Sequence, residues 1–210
     1  MSKRDQGKQN RRDSIINATK SLLQLHGSTE FSMEDIAGIS GVSIQTIYNQ
    51  FGSKSSLLYH ILNEIVETVD TGLEVHAAED PIDAFLNSID SVSSIYLSNP
   101  TLHGALLRHL FGVKDELNRP RFMEMSMAFW HHALDAVFAR WPERQILKTE
   151  LAEDMLYLTS GALETWAQGD IDDRQFRAAL RRGGALRLLA LDLPDTRDRL
   201  LREVAESRRG

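Results

Sequence analysis

Residues 32–54 read SMEDIAGISGVSIQTIYNQFGSK, two short helical segments divided by a glycine turn. Ser32 with Asp35 three residues on has the form of a capping box, in which the hydroxyl accepts a backbone N–H of the first turn. Ile36, Ala37 and Ile39 give the first segment an apolar side. Gly41 then supplies the left-handed conformation that ends a helix at little cost. Ser43 offers a second N-cap, and Ile44, Ile47, Tyr48 and Phe51 recur after it at helical spacing. Ala37, Gly41 and Ile47 stand where a helix-turn-helix needs a small residue at the crossing, a turn glycine and a buried aliphatic.

Upstream, a helix is expected from about Arg11 to His26, with Ile15, Ala18, Thr19, Leu22 and Leu23 inward and Gly27 as its stop. Met1 to Asn10 is basic and without periodicity, which predicts disorder in the free protein. Downstream, Ser53 caps a long helix from Lys54 to about Val75, striped by Leu58, Ile61, Leu62, Ile65, Val66, Val69 and Leu73. Asp80-Pro81 opens the next helix, which ends near Ser98 because Asn99-Pro100 disfavours continuation. Further helices are expected over Pro100–Gly112, about 119–141, about 143–168 and about 172–191, with a short charged one from Pro194. No strand-like alternation interrupts them, so the chain is read as all-α.

Hydrophobic residues make up 42% of the 210 and charged ones 26%, ordinary values for a globular protein. The absence of cysteine excludes disulfides and thiolate metal sites. No apolar run is long enough for a signal peptide or a bilayer span, so a soluble, cytoplasmic protein is expected. No Gly-rich phosphate loop, serine elbow or carboxylate pair supports catalysis, and no enzyme activity or cofactor is expected. His131 and His132 are adjacent and His103 and His109 six apart, spacings that assemble no metal site. The net charge of −6 is unevenly spread: residues 1–60 hold seven Lys and Arg against five Asp and Glu, a net of +2 that leaves −8 for the rest. A basic head on an acidic body suits phosphate binding, which needs only a local basic surface.

Between about Arg11 and Val66 the chain resembles the tetracycline-repressor (TetR) family of bacterial transcription regulators. The resemblance is carried by Gly41-Val42-Ser43, Thr46-Ile47-Tyr48, Phe51 and Ser53-Lys54, behind the opening helix RDSIINATKSLLQLHG. It implies a three-helix DNA-binding head joined by a long helix to a helical ligand-binding and dimerisation body. The domains are accordingly read as a disordered basic arm over 1–10, a helix-turn-helix domain over 11–56 and the body over 57–210. The arm either follows a DNA backbone or groove or is a solvated tail.

In a helix-turn-helix the second helix enters the major groove with its N-terminal residues at base edges. Here these are Ser43, Ile44, Gln45 and Thr46, with Asn49 one turn on. Gln45 and Asn49 are the natural readers, since a carboxamide pairs with adenine N6 and N7, while Ile44 and the Thr46 methyl suit thymine methyls. Tyr48 and Lys54 are read as phosphate contacts. The resemblance assigns phosphate contacts to Thr46, Tyr48 and Lys54, and adds Ser32. It also exposes a departure: family members often carry Lys-Gly where this chain has Ile44-Gln45, so no relative's operator transfers.

One recognition helix makes too few contacts for a specific site, so a homodimer on a pseudo-palindromic double-stranded operator is expected. The last two long helices are the expected seam, through Leu151, Met155, Gly161, Ala162, Gly183 and Gly184; glycines inside helices point to close backbone approach, or to a kink at 183–184. The resemblance points to the same helices. The aromatic and methionine cluster over 122–138 suggests an adaptable pocket for an apolar effector, lined by His103, Leu107, Met123, Met127, Trp130, His131 and Trp166. The other reading makes these residues plain core and Trp166 part of the seam. The function expected is therefore a dimeric repressor released from DNA by a small, largely apolar molecule. Its alternative is a regulator with a filled core, constitutive or controlled by a protein partner.

Overall fold

The computed structural model describes residues 3–75 and 80–207, with side chains over 5–71 and 80–207. Among these residues the order is α1 (Lys3–His26), α2 (Met33–Ser40), α3 (Ile44–Phe51), α4 (Lys54–Val75), α5 (Pro81–Leu97), α6 (Pro100–Gly112), α7 (Arg119–Ala133), α8 (Asp135–Arg140), a 3-10 helix (Pro142–Leu147), α9 (Lys148–Gln168), α10 (Asp173–Ala190) and α11 (Arg197–Glu206), without strands. They fall into two compact units. One is formed by the chain up to Glu64 with Asn99–Phe122, the other by Ile65–Ser98 with Met123 onward.

In the first unit α1 packs against α2 and α6, and α2 against α3. Its core holds Ile15, Leu23, Ile36, Ile47, Leu57, Leu58 and Leu62, all fully buried. Thr19 is buried among them because its hydroxyl donates to the Ile15 carbonyl, leaving no polar atom unsatisfied. Two expectations change here. Helix α1 begins at Lys3 instead of Arg11, so residues 3–10 of the expected disordered arm are helical. Lys, Arg and Gln are good helix formers, and Gln9 Nε2 donates to Asp13 Oδ1 one turn on at 2.8 Å. Residues 1 and 2 lie outside the described ones, as does the Leu73 side chain. The second change is that Asn99–Phe122, expected in the body, belongs to the same compact unit as the helix-turn-helix.

In the second unit α10 is central, packing on α5, α9 and α11. Arg181 on α10 pairs with Asp90 on α5 and with Glu203 on α11. Arg199 on α11 pairs with Asp80 and Asp83 at the start of α5. The expected helix over 119–141 is broken at Leu134, and the one over 143–168 begins as a 3-10 turn. Pro194 does not start α11 directly. Asp192 and Asp195 flank it with φ of 49° and 59°, a turn that aspartate tolerates better than most residues.

Gly183 and Gly184, expected at a dimer seam, are buried inside this unit. A Cβ on Gly183 would lie 2.5 Å from Leu158 Cδ2 of α9. One on Gly184 would overlap Ile89 of α5, with Phe85 Cε1 at 3.4 Å. At both glycines a side chain of a neighbouring helix fills the space a Cβ would take, and that helix belongs to the same chain. Leu151 and Met155 are likewise buried in the monomer, at 6% and 0% exposure.

Candidate nucleic-acid interface

Four local devices set the course of the chain from α2 to α4. Asp35 N donates to Ser32 Oγ at 3.1 Å and Ser32 N returns a bond to Asp35 Oδ2 at 2.7 Å, closing the capping box. The Ser32 backbone N–H, then its hydroxyl, hold the Asp35 carboxyl below its ordinary value. Gly41 adopts φ 70° and its N–H reaches the Ala37 carbonyl at 3.0 Å, ending α2. Ser43 Oγ accepts from Thr46 N at 3.2 Å and starts α3. Ser53 Oγ accepts from Ser56 N at 3.0 Å and starts α4.

Ile47 and Phe51 bury one side of α3. Ser43, Gln45, Tyr48 and Asn49 are exposed, while Ile44 and Thr46 are half-buried. Tyr48 is 45% exposed, a large aromatic held in water by a helix only two turns long. Gln45 Nε2 donates to Asn49 Oδ1 at 3.0 Å. The Thr46 hydroxyl lies 2.8 Å from Ser43 Oγ, so it shares in the cap. Ser32 is exposed at the start of α2.

Lys54 is placed differently from a free phosphate contact. Its ammonium donates to the carbonyls of Thr29 and Phe31 and lies 4.5 Å from the Phe31 ring centroid. Desolvation lowers its pKa from the ordinary lysine value, against the pull of Asp35. The side chain thus ties the start of α4 to the loop before α2. Three contacts that spacing did not reveal also brace this unit. Arg12 lies 4.6 Å above Phe51 and 3.3 Å from His60 Nε2. Arg108 Nη2 donates to the Gly27 carbonyl, which ends α1, at 2.7 Å. Ser55 Oγ donates to Asp115 Oδ2 at 2.5 Å. Each joins residues at least 39 apart in sequence, beyond the reach of any local pattern.

The expected pocket residues divide between the units, His103 and Leu107 in the first and Met123, Met127, Trp130, His131 and Trp166 in the second. His103 and Leu107 are buried. Trp130 is 2% exposed and packs on Phe129 and Phe85. Trp166 stacks on Phe176 at 5.3 Å and its Nε1 donates to Asp173 at 2.8 Å, which fixes it between α9 and α10. Met123, Met127 and His131 are half-buried. A cleft of ≈ 430 Å³ in the second unit is lined instead by residues including Asp80, Ile82, Arg140, Trp141, Asp195 and Arg199. Among the described residues no group of three or more His, Asp or Glu is placed to hold a metal ion, and no helix is long and apolar enough to cross a membrane.

A capped helix-turn-helix with an exposed polar second helix is the arrangement by which such a motif enters a DNA major groove. A family model described as bacterial regulatory proteins, tetR family, matches residues 15–61. The chain is similar to the HTH-type transcriptional regulator AlkX of Mycobacterium tuberculosis (strain ATCC 25618 / H37Rv), at 29% identity over 93 residues. That match takes in 42% of this chain and 44% of the relative, so less than half of either. Its fold is similar to a TetR transcriptional regulator from Rhodococcus sp. RHA1, with TM-score 0.70, 22% identity, and 87% and 98% of the two chains covered. It is also similar to a gamma-butyrolactone receptor (ArpA like protein), with TM-score 0.57, 17% identity and 96% of each chain covered. Proteins of the family are transcriptional regulators and not enzymes.

Proposed function

We propose that the protein is a dimeric repressor that reads a pseudo-palindromic operator through α3 and leaves it when a small, largely apolar molecule binds. The observation that carries the DNA-reading part is α3 itself. Caps at both ends hold it, Ile47 and Phe51 anchor it, and Ser43, Gln45, Tyr48 and Asn49 remain in water. Ile44 and Thr46 complete the base-facing set, with Tyr48 and Ser32 at phosphates, while Lys54 holds the start of α4 to the loop before α2. Regulators of the family bind operator DNA and act as dimers. Support for a dimer seam on α9 and α10 comes from Tyr157 and Leu186, 63% and 49% exposed, and from Gly161, exposed with open space above it. Ala162, half-buried beside it, belongs to the same region.

The ligand-controlled part is supported by the half-buried Met123, Met127 and His131, and by a gamma-butyrolactone receptor of similar fold. The close packing of Trp130 and Trp166 favours the second reading, a regulator whose core is filled and which answers to a protein partner or to nothing. Anisotropy titrations of the purified protein on DNA flanking its own gene test the first step, with salt varied because phosphate contacts appear in the slope. Tyr48→Ala is expected to weaken binding roughly tenfold, the size of one lost hydrogen bond to a charged group. A protein that enriches no sequence from a random DNA pool, and carries no ligand by native mass spectrometry, is not such a regulator. Release of the bound operator by apolar small molecules, or its failure across a broad panel, then separates the two modes of control.

A further inference from the structure

The two carboxamides on the outer side of α3 are joined to each other. Gln45 Nε2 donates to Asn49 Oδ1 at 3.0 Å, one helical turn apart, and both residues are exposed. We propose that Asn49 is a positioning residue for Gln45, which it holds ready to read an adenine in the major groove, so that the pair acts as one specificity determinant. The proposal rests on the DNA-binding reading above and says which base the site selects and how.

The argument begins with the inventory of a carboxamide: one carbonyl oxygen with two lone pairs and two N–H donors. The bond to Asn49 uses one N–H of Gln45. Its oxygen and second N–H remain, and these are what a bidentate pair with adenine N6 and N7 requires. A free glutamine on a helix surface is a poor reader, because fixing its long side chain on a base costs rotamer freedom. Tying its end to the next turn removes that cost before the DNA arrives. The neighbours leave this task to Asn49. Thr46 is engaged with the Ser43 cap, and Ile44 has no polar atom to offer.

The test is selection of bound sequences from random double-stranded DNA, followed by affinities for single-base variants of the selected site. It uses the full-length wild type, Gln45→Ala, Asn49→Leu and Asn49→Asp. Gln45→Ala identifies the base pair that Gln45 reads, and an adenine preference of roughly tenfold is expected there in the wild type. Asn49→Leu keeps the shape of residue 49 but offers no acceptor, and is expected to reduce the preference at that same position to below about threefold. Asn49→Asp retains the acceptor, so the preference should persist while its added charge weakens binding to all DNA. The circular dichroism and thermal unfolding of Asn49→Leu should match the wild type, which separates lost positioning from lost folding. An unchanged preference in Asn49→Leu overturns the pairing and leaves the DNA-binding reading intact. A position at which Gln45 selects a base other than adenine overturns the assignment. A wild type that selects nothing overturns both.

Discussion

At the scale of single residues, the chemistry is set by partners far away in sequence. Burial pushes the Asp115 carboxyl up, but hydrogen bonds from Ser55 and from Asn118 and Leu117 outweigh it and bring it down to about 2. A carboxyl whose folded value lies below its unfolded value stabilises the fold fully above the unfolded value and loses that contribution as pH falls through the folded one. The Ser55–Asp115 contact is therefore expected to weaken between about pH 4 and pH 2, the ordinary and shifted values. Acid unfolding of Asp115→Asn, followed by circular dichroism, should show a shallower loss in that window than the wild type. Gly184 makes a second residue-level prediction. The added methyl of Gly184→Ala meets the Ile89 side chain, itself 1% exposed, which must shift within the core. A loss of about 1–3 kcal/mol in urea unfolding is expected, the usual cost of overpacking a core. Neither effect was legible in the sequence. Gly183-Gly184 announced close approach, but residue types alone do not say whether the approaching helix belongs to the same chain.

At the scale of elements, the local signals were legible and the long-range ones were not. Ser32, Gly41, Ser43 and Ser53 act within three or four residues of themselves, and each occupies the cap or turn expected of it. The direction of Lys54 was not legible, because its partners lie 25 and 23 residues back, at the Thr29 and Phe31 carbonyls. The pocket side chains were hardest to place. An aromatic and methionine run has the same composition whether it lines a cavity or fills one, and Trp130 and Trp166 turned out closely packed. Helix α9 carries its own prediction. A Cβ on Gly161 would meet nothing within 4 Å, so in the monomer Gly161→Ala should stabilise the helix by about 0.8–1 kcal/mol. If a second copy seats on that surface, the same methyl will instead weaken association. Sedimentation velocity beside thermal unfolding of Gly161→Ala reads the two effects separately, and a tighter dimer would remove Gly161 from the seam.

At the scale of the whole molecule, the chain does not deliver its two units one after the other. The first is begun before Glu64, left, and resumed from Asn99 to Phe122. Leu102, Ala105, Leu106 and Leu110 of α6 are all buried, and α6 packs on α1. A fragment ending at residue 64 therefore lacks part of its own packing, with each stranded leucine worth roughly 1.5–3 kcal/mol of burial. Its circular dichroism should show less helix and a lower unfolding temperature than the same residues in the full chain; a fragment as stable as the parent would show α6 to be dispensable. The familiar signature of the family covers residues 15–61 and stops well short of this second instalment. Inheritance is affected as well as stability. A recombination event that exchanged only the signature-bearing segment between two regulators would leave α6 behind with the other parent. An exchange that carries α6 along, or point changes confined to α3, would instead leave the packing of the first unit whole.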